Sequence, residues 1–214
     1  IPLRLVGSEM CIRDRASACG LTLVAPKDRN PLFTTTYGVG EMIADAIKRG
    51  CEHIVMGIGG SATCDGGMGM IKALEENDCL SSSCRITVAC DVTNPLYGRN
   101  GAAYVFAPQK GATPKQVIEL DNRLKQFAQE TENKGLATKE MAFFSGAGAA
   151  GGLGYALLTY LKAELKSGID IVLDISNFDK ALTDSDLVIT GEGKSDNQTM
   201  MGKVPSVSYT HLTL

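Results

Sequence analysis

Glycine is concentrated in three stretches of this sequence, residues 57–69, 146–154 and 191–202. The first and third directly follow short apolar runs, HIVMG (53–57) and DLVIT (186–190). A glycine-lined turn that leaves an apolar strand is the sequence form of a βα unit in which backbone comes close to a ligand at the strand's carboxyl end. This pattern points the chain towards an α/β fold more firmly than its composition does.

The rest of the chain agrees. Met42, Ile43, Ala46 and Ile47 share one helical face over 41–49, with Gly50 as the stop. Residues 53–57 read as a buried strand, 68–76 as the helix after it, and 85–92 (RITVACDV) as a second strand. Thr113 starts the clearest helix: Pro114 takes the first helical position and Gln116 completes a capping box. Val117, Ile118, Leu120, Leu124 and Phe127 form its apolar face, and Gly135 follows it. Residues 155–165 read as a more fully buried helix. Residues 169–175 and 186–190 read as the last two strands. Strands alternating with helices predict an α/β fold, a mostly parallel sheet with flanking helices. A sub-domain boundary is expected near 81–84.

Composition excludes several function classes. A net charge of -3 and the absence of Trp offer neither a basic footprint nor stacking platforms for nucleic acid. Seven cysteines without a CxxC pair, and only His53 and His211 beside them, argue against zinc. Such an irregular set reads as reduced thiols in a cytoplasmic protein. Residues 141–161 are uncharged and carry Gly148 and Gly152 in GxxxG spacing. Their first half is Gly, Ala and Ser, which contribute little transfer energy, so no membrane span is expected. The opening fifteen residues lack the order of a secretory signal.

Both ends look foreign to the pattern between them. Residues 1–15 (IPLRLVGSEMCIRDR) and 206–214 (SVSYTHLTL) resemble translated adapter read-through and are expected to be non-native. Residues 16–205 are then an internal piece of a longer protein.

Four loops carry candidate chemistry. The first, GIGGSATCDGGMG (57–69), offers backbone N–H groups at Gly59 and Gly60 and hydroxyls at Ser61 and Thr63. Asp65 within it either serves a ligand or caps the next helix. The second, ACDVTNPL (89–96), puts Asp91 at a strand end, and Lys110 follows in a QKG turn. Asp91 also suits a plain turn, and Lys110 a solvated surface. The third, GAGAAGGLG (146–154), matches GxGxxG, with Asp174 downstream. That invites an NAD-dependent oxidoreductase reading through the Gly146–Gly151 loop, but the residues before it make a poor strand. The fourth, TGEGKSDNQT (190–199), closed by Gly202 and Lys203, sets Glu192 and Asp196 beside lysines, the residue types that hold magnesium and phosphate. No Walker A or protein-kinase signature is present. With no usable histidine, base work falls to a carboxylate, which fits metal-assisted phosphoryl transfer better than acyl transfer or redox chemistry. A small-molecule or phosphate-binding module without turnover is the non-enzyme alternative.

These loops resemble the bacterial glycerate kinase family. The matching stretches are NPLFTTTYGVGEMI, GIGGSATCDGGMGM, ACDVTNPLYG, FAPQKGAT, GAGAAGGLG and DLVITGEGKSDNQTMMGKVP, in family order. One departure is Cys64, where the family motif usually has Asn; a thiol there donates weakly. The resemblance implies two α/β domains, one inserted in the other and here only partly present. It also implies ATP, Mg²⁺ and glycerate as reactants, with 2- or 3-phosphoglycerate as product. On that reading Asp65 or Asp91 would orient or deprotonate the glycerate hydroxyl. Gly59, Gly60 and Ser61 would hold phosphate or the substrate carboxylate. Glu192 and Asp196 would position Mg²⁺, while Lys110 and Lys203 would offset developing charge.

Overall fold

The computed structural model describes residues 10–183, together with 185, 187 and 189. The chain divides into two compact units, Ile1–Leu165 and Lys166–Leu214.

In the first unit, β1 (Met10–Asp14), β2 (His53–Gly57) and β3 (Arg85–Ala89) form a parallel sheet, with a short β4 (Glu164–Lys166) completing the order β1-β2-β3-β4. His53 pairs with both Met10 and Arg85, and Gly57 with both Asp14 and Ala89. The carboxyl ends of the three parallel strands therefore lie side by side. Strand β1 is a difference from the sequence expectation: no periodicity marks Met10–Asp14, yet their backbone joins the sheet. β3 stops at Ala89, short of the expected Val92, so Cys90 and Asp91 belong to the loop beyond it.

Parallel neighbours need long crossovers, and helices supply them. Between β1 and β2 run the short α1 (Ala16–Cys19) and α2 (Tyr37–Lys48); between β2 and β3 runs α3 (Met68–Glu76). α2 buries Val39, Ile43, Ala44 and Ala46, while α3 buries Met70, Ile71, Ala73 and Leu74. The two helices pack so closely that a methyl at Gly40 would lie 2.5 Å from the Met70 carbonyl. The segment after β3 holds α4 (Ala102–Phe106), α5 (Pro114–Asn133) and α6 (Ala149–Tyr160).

α5 starts as the sequence dictates. Thr113 accepts from the Gln116 backbone, and the Gln116 side chain accepts from the Thr113 N–H at 2.8 Å. Val117, Leu120, Leu124 and Phe127 are buried, whereas Ile118 is 53% exposed and leaves the expected apolar face. α6 begins six residues before the expected Tyr155, kinks through left-handed backbone at Ala150, Gly151 and Gly152, and lies mostly within the core: Leu153, Ala156 and Leu157 have no exposed surface. Its apolar length thus serves packing. No helix among the described residues is long and apolar enough to cross a membrane.

The second unit corrects one expectation. Residues 169–175 are not a strand but lie in α7 (Gly168–Ser176), followed by α8 (Phe178–Leu182). Ser167 accepts from the Asp170 N–H and so caps α7, and Asp170 sits in its first turn. A short apolar run does not by itself separate strand from helix; here the cap decides it. The expected strand over 186–190 falls largely outside the described residues.

The second glycine stretch, residues 146–154, is wedged between the loops at 57–69 and 89–96. Gly148 donates to the Asn94 carbonyl at 2.9 Å, and Gly66 donates to the Gly151 carbonyl at 3.0 Å. A methyl on Gly151 would sit 2.1 Å from the Thr63 carbonyl, on a backbone with φ +74°. Gly151→Ala is accordingly expected to destabilise the fold by about 3 kcal/mol or more, from left-handed strain plus overpacking. A urea titration against wild type measures it.

A cleft at the carboxyl ends of the strands

A cleft of about 450 Å³ opens beyond the carboxyl ends of β2 and β3. Open α/β sheets bind ligands at this edge, and the size lies within the usual range for small-molecule sites. Its walls are Ile58–Ser61 from the first loop, Ala89–Val92 from the second, Gln109 and Lys110 from a short turn, and Ala149 and Ala150 at the start of α6. A larger cavity of about 810 Å³, lined by Cys51, His53, Ser82, Ser83 and Arg85 among others, lies at the opposite, amino-terminal edge of the strands. None of the expected site residues lines it.

Gly59 and Gly60 are shaped by what lies beneath them. Arg15 is fully buried and donates to the carbonyls of Ile58, at 2.9 Å, and Gly59. The peptides here are trans, so each N–H points opposite to the carbonyl of the same peptide unit. Drawing the Ile58 and Gly59 carbonyls onto Arg15 therefore turns the Gly59 and Gly60 N–H groups away from it. Neither N–H has a backbone acceptor among the described residues. Space over both glycines is empty: an added methyl would meet nothing within 4 Å. Gly60 has φ +70°, which favours glycine in its own right; Gly59 has no such conformational reason. Next to them, Leu21 and Ala62 stitch the loop to α1 through Leu21 N–H to Gly60 O and Ala62 N–H to Cys19 O, both 2.9 Å. Arg15 lies within residues 1–15, which the sequence expectation sets aside as non-native, so no candidate residue is sought there.

Lys110 is 2% exposed. It ends the turn Pro108–Lys110, and Gly111 at φ +94° redirects the chain after it. Its ammonium donates to Ser61 Oγ and to the Thr63 carbonyl, each at 2.6 Å. No carboxylate forms an ion pair with it among the described residues. Burial pushes its pKa down to about 8, opposed chiefly by Cys64 and reinforced by Arg15. Of the two readings left open for Lys110, the solvated surface one fails: it is a buried cation at the cleft. Cys64 is buried too, and burial pushes its thiol up to about 11, so it stays protonated at neutral pH.

Asp91 lines the cleft from the loop after β3 and is exposed there. Asp65 does not line it. Its Oδ2 accepts from the Thr36 N–H (2.8 Å), the Thr36 hydroxyl (2.9 Å), the Gly69 N–H (3.2 Å) and the Thr35 hydroxyl (3.3 Å), and its Oδ1 accepts from the Gly67 N–H (3.2 Å). The carboxylate is occupied in joining the starts of α2 and α3. Of the expected site residues, then, Gly59, Gly60, Ser61, Lys110 and Asp91 come together and Asp65 stands apart. Glu192, Asp196 and Lys203 lie outside the described residues. No group of three potential metal ligands occurs among the described residues.

The GxGxxG stretch does not form a dinucleotide fingerprint. A 3-10 turn, Lys139–Phe143, precedes it where a strand is required, and Asp174 lies in α7. Gly148, Gly151, Gly152 and Gly154 each face atoms closer than 3.0 Å to a hypothetical methyl, so packing accounts for them.

The family model described as "Glycerate kinase family" matches residues 3–79 and 74–210. The chain belongs to the glycerate kinase family. It is 44% identical to the glycerate kinase of Halalkalibacterium halodurans over 224 positions, covering 92% of this chain and 58% of that protein. It is 45% identical to the glycerate 2-kinase of Escherichia coli K12, covering 90% and 57%. The crystal structure from Salmonella typhimurium LT2 assigned to glycerate kinase 2 superposes with a TM-score of 0.85 at 42% identity, over 96% of this chain and 62% of that one. The chain therefore spans somewhat over half the length of the relatives it matches, and the cleft sits inside the shared part of the glycerate kinase fold.

Proposed function

We propose that the protein carrying this chain is a glycerate kinase that transfers the γ-phosphoryl group of ATP to a hydroxyl of glycerate, giving phosphoglycerate and ADP. The observation that carries this is one cleft, in a chain of this family, that combines an acidic rim at Asp91 with a cationic floor at Lys110 and glycine N–H groups between them.

A hydroxy acid has two handles, a carboxylate and a hydroxyl. In this reading Asp91 orients the hydroxyl and accepts its proton as the oxygen attacks the γ-phosphorus. The bond from that phosphorus to the β–γ bridging oxygen breaks, and ADP leaves. Lys110 and the Gly59 and Gly60 N–H groups stabilise negative charge. Asp65 is assigned a positioning role: it fixes the loop rather than meeting substrate.

Magnesium usually takes one or two carboxylates plus the phosphates of a nucleotide. Glu192 and Asp196, outside the described residues, remain the candidates for this role. When bound, the ion would neutralise phosphate charge. Six free thiols among the described cysteines accord with a cytoplasmic setting.

The test is a coupled ADP-release assay on the complete enzyme with glycerate, and with NAD⁺ in place of ATP as control. Glycerate-dependent ADP release is expected. Its absence, or a glycerate-dependent rise in nicotinamide absorbance, would remove the proposal.

A further inference from the structure

On the kinase reading, the described cleft has to receive one of two reactants, the nucleotide or the hydroxy acid. Lys110 is a cation with almost no solvent and no carboxylate partner among the described residues. Burying a charge is costly unless something pairs with it. Two of its three ammonium protons are spent on Ser61 Oγ and the Thr63 carbonyl, both neutral acceptors. Beside it, the Gly59 and Gly60 N–H groups point away from Arg15, which holds the matching carbonyls, and an added methyl on either glycine would meet nothing within 4 Å. A second buried cation thus sits under the same loop. The arrangement is a built receptor for one small anionic group.

The acceptor and the nucleotide could both offer such a group, as a carboxylate or as a phosphate. Geometry favours the acceptor. Asp91 lines the same cleft, and a carboxylate beside the bound group suits a hydroxyl, which donates to it, far better than a second phosphate, which repels it. At the start of α6, Gly148 and Gly151 are packed against the Pro95 and Thr63 carbonyls, so these glycines do not form a phosphate cradle. We propose that Lys110, with the Gly59 and Gly60 N–H groups, anchors the carboxylate of the hydroxy acid, and that this anchor makes the enzyme select an acid over the matching uncharged alcohol.

A titration property follows from the same geometry. Lys110 carries its charge below about pH 8 and loses it above. The ionisable groups acting on it are Cys64, Arg15, Cys19 and Asp65, from the first loop and from α1 and its cap. Burial pushes the Cys64 thiol up to about 11, so it does not change charge across this range. An acid that pairs with the charged form should bind about tenfold more weakly per pH unit above pH 8.

The experiment uses the complete enzyme. Glycerate binding is followed by calorimetry without nucleotide, and KM values for ATP and glycerate by ADP release, in wild type and Lys110→Met. Loss of a charged partner predicts glycerate binding weaker by roughly 100-fold, an ATP KM within threefold of wild type, and collapse of the preference for glycerate over glycerol. A raised ATP KM with glycerate binding intact would overturn the proposal, as would no change in either. Should Lys110→Met fail to fold, two measurements decide instead. Gly59→Ala places a methyl in the open anion space and is expected to weaken glycerate binding with unchanged thermal stability. Wild-type glycerate affinity is expected to fall between pH 8 and 9.5, and a flat profile rejects the anchor. Calorimetric binding that depends on Lys110, without any glycerate-dependent ADP release, would leave the anchor standing and sink only the kinase reading.

Discussion

Replacing Asp91 by Asn in the complete enzyme is expected to lower kcat for glycerate by about 10²- to 10⁴-fold, the span a positioned general base contributes. The substitution keeps the side chain's shape and removes only its capacity to take a proton. Asp91 is exposed at the rim of the cleft, beyond the last residue of β3. Surface substitutions away from packing or buried networks usually alter stability by no more than about 0.5 kcal/mol, so the melting temperature of Asp91→Asn should stay within a few degrees of wild type. The KM for ATP should also hold, because in this reading Asp91 meets the glycerate hydroxyl and not the nucleotide. A large fall in kcat with intact stability and ATP affinity marks Asp91 as the base. Wild-type turnover in Asp91→Asn removes it from the reaction, and a parallel loss of stability assigns it to the scaffold.

Much of the fold was legible because local chemistry and tertiary packing agreed. The capping box at Thr113, the Gly135 stop and the apolar stretch at 53–57 each specify one outcome, and the structure adopts it. Where they failed, a named competitor won. Residues 169–175 are apolar enough for a strand, but Ser167 offers a cap and the segment winds as α7. Met10–Asp14 carry no alternation, yet β2 presents a free edge that their backbone fills.

The site divided in the same way. Glycine marks Gly59 and Gly151 alike, and the sequence has no means of telling a glycine that faces a ligand from one that faces a neighbouring carbonyl. Only the space around each separates them: empty over Gly59, 2.1 Å from Thr63 O at Gly151. For Lys110 a solvated surface stayed open beside the ligand role because lysine is seldom buried; the turn at Pro108 and Gly111 carries it inward. Asp65 and Asp91 both follow strands, but one is consumed by hydrogen bonds and the other lines the cleft.

Asp65→Ala should therefore fail differently from Asp91→Asn. Five donors converge on the Asp65 carboxylate, three of them backbone N–H groups at Thr36, Gly67 and Gly69. Thr36 is fully buried at the residue preceding α2, and its hydroxyl also accepts from the Met70 N–H at 3.0 Å, so the network ties α2 to α3. Truncation leaves these donors without their acceptor, and each buried orphan costs about 1–3 kcal/mol. Part of that returns as water reaches the half-buried site, which leaves an expected loss of about 3 kcal/mol and a melting temperature lower by roughly 6–12 °C. Gly69→Ala is an independent probe of the same joint, because its methyl would stand 2.1 Å from Thr35 Oγ1 and 3.0 Å from Asp65 Oδ2. If Asp65 positions the loop, both variants lose stability together, and the fraction that stays folded at low temperature keeps kcat within about tenfold of wild type. If Asp65 is instead the base, Asp65→Ala loses turnover by the 10²-fold or more that defines such a group while Gly69→Ala does not. The comparison of the two variants, normalised to folded protein by circular dichroism, separates a carboxylate that holds two helices from one that takes a proton.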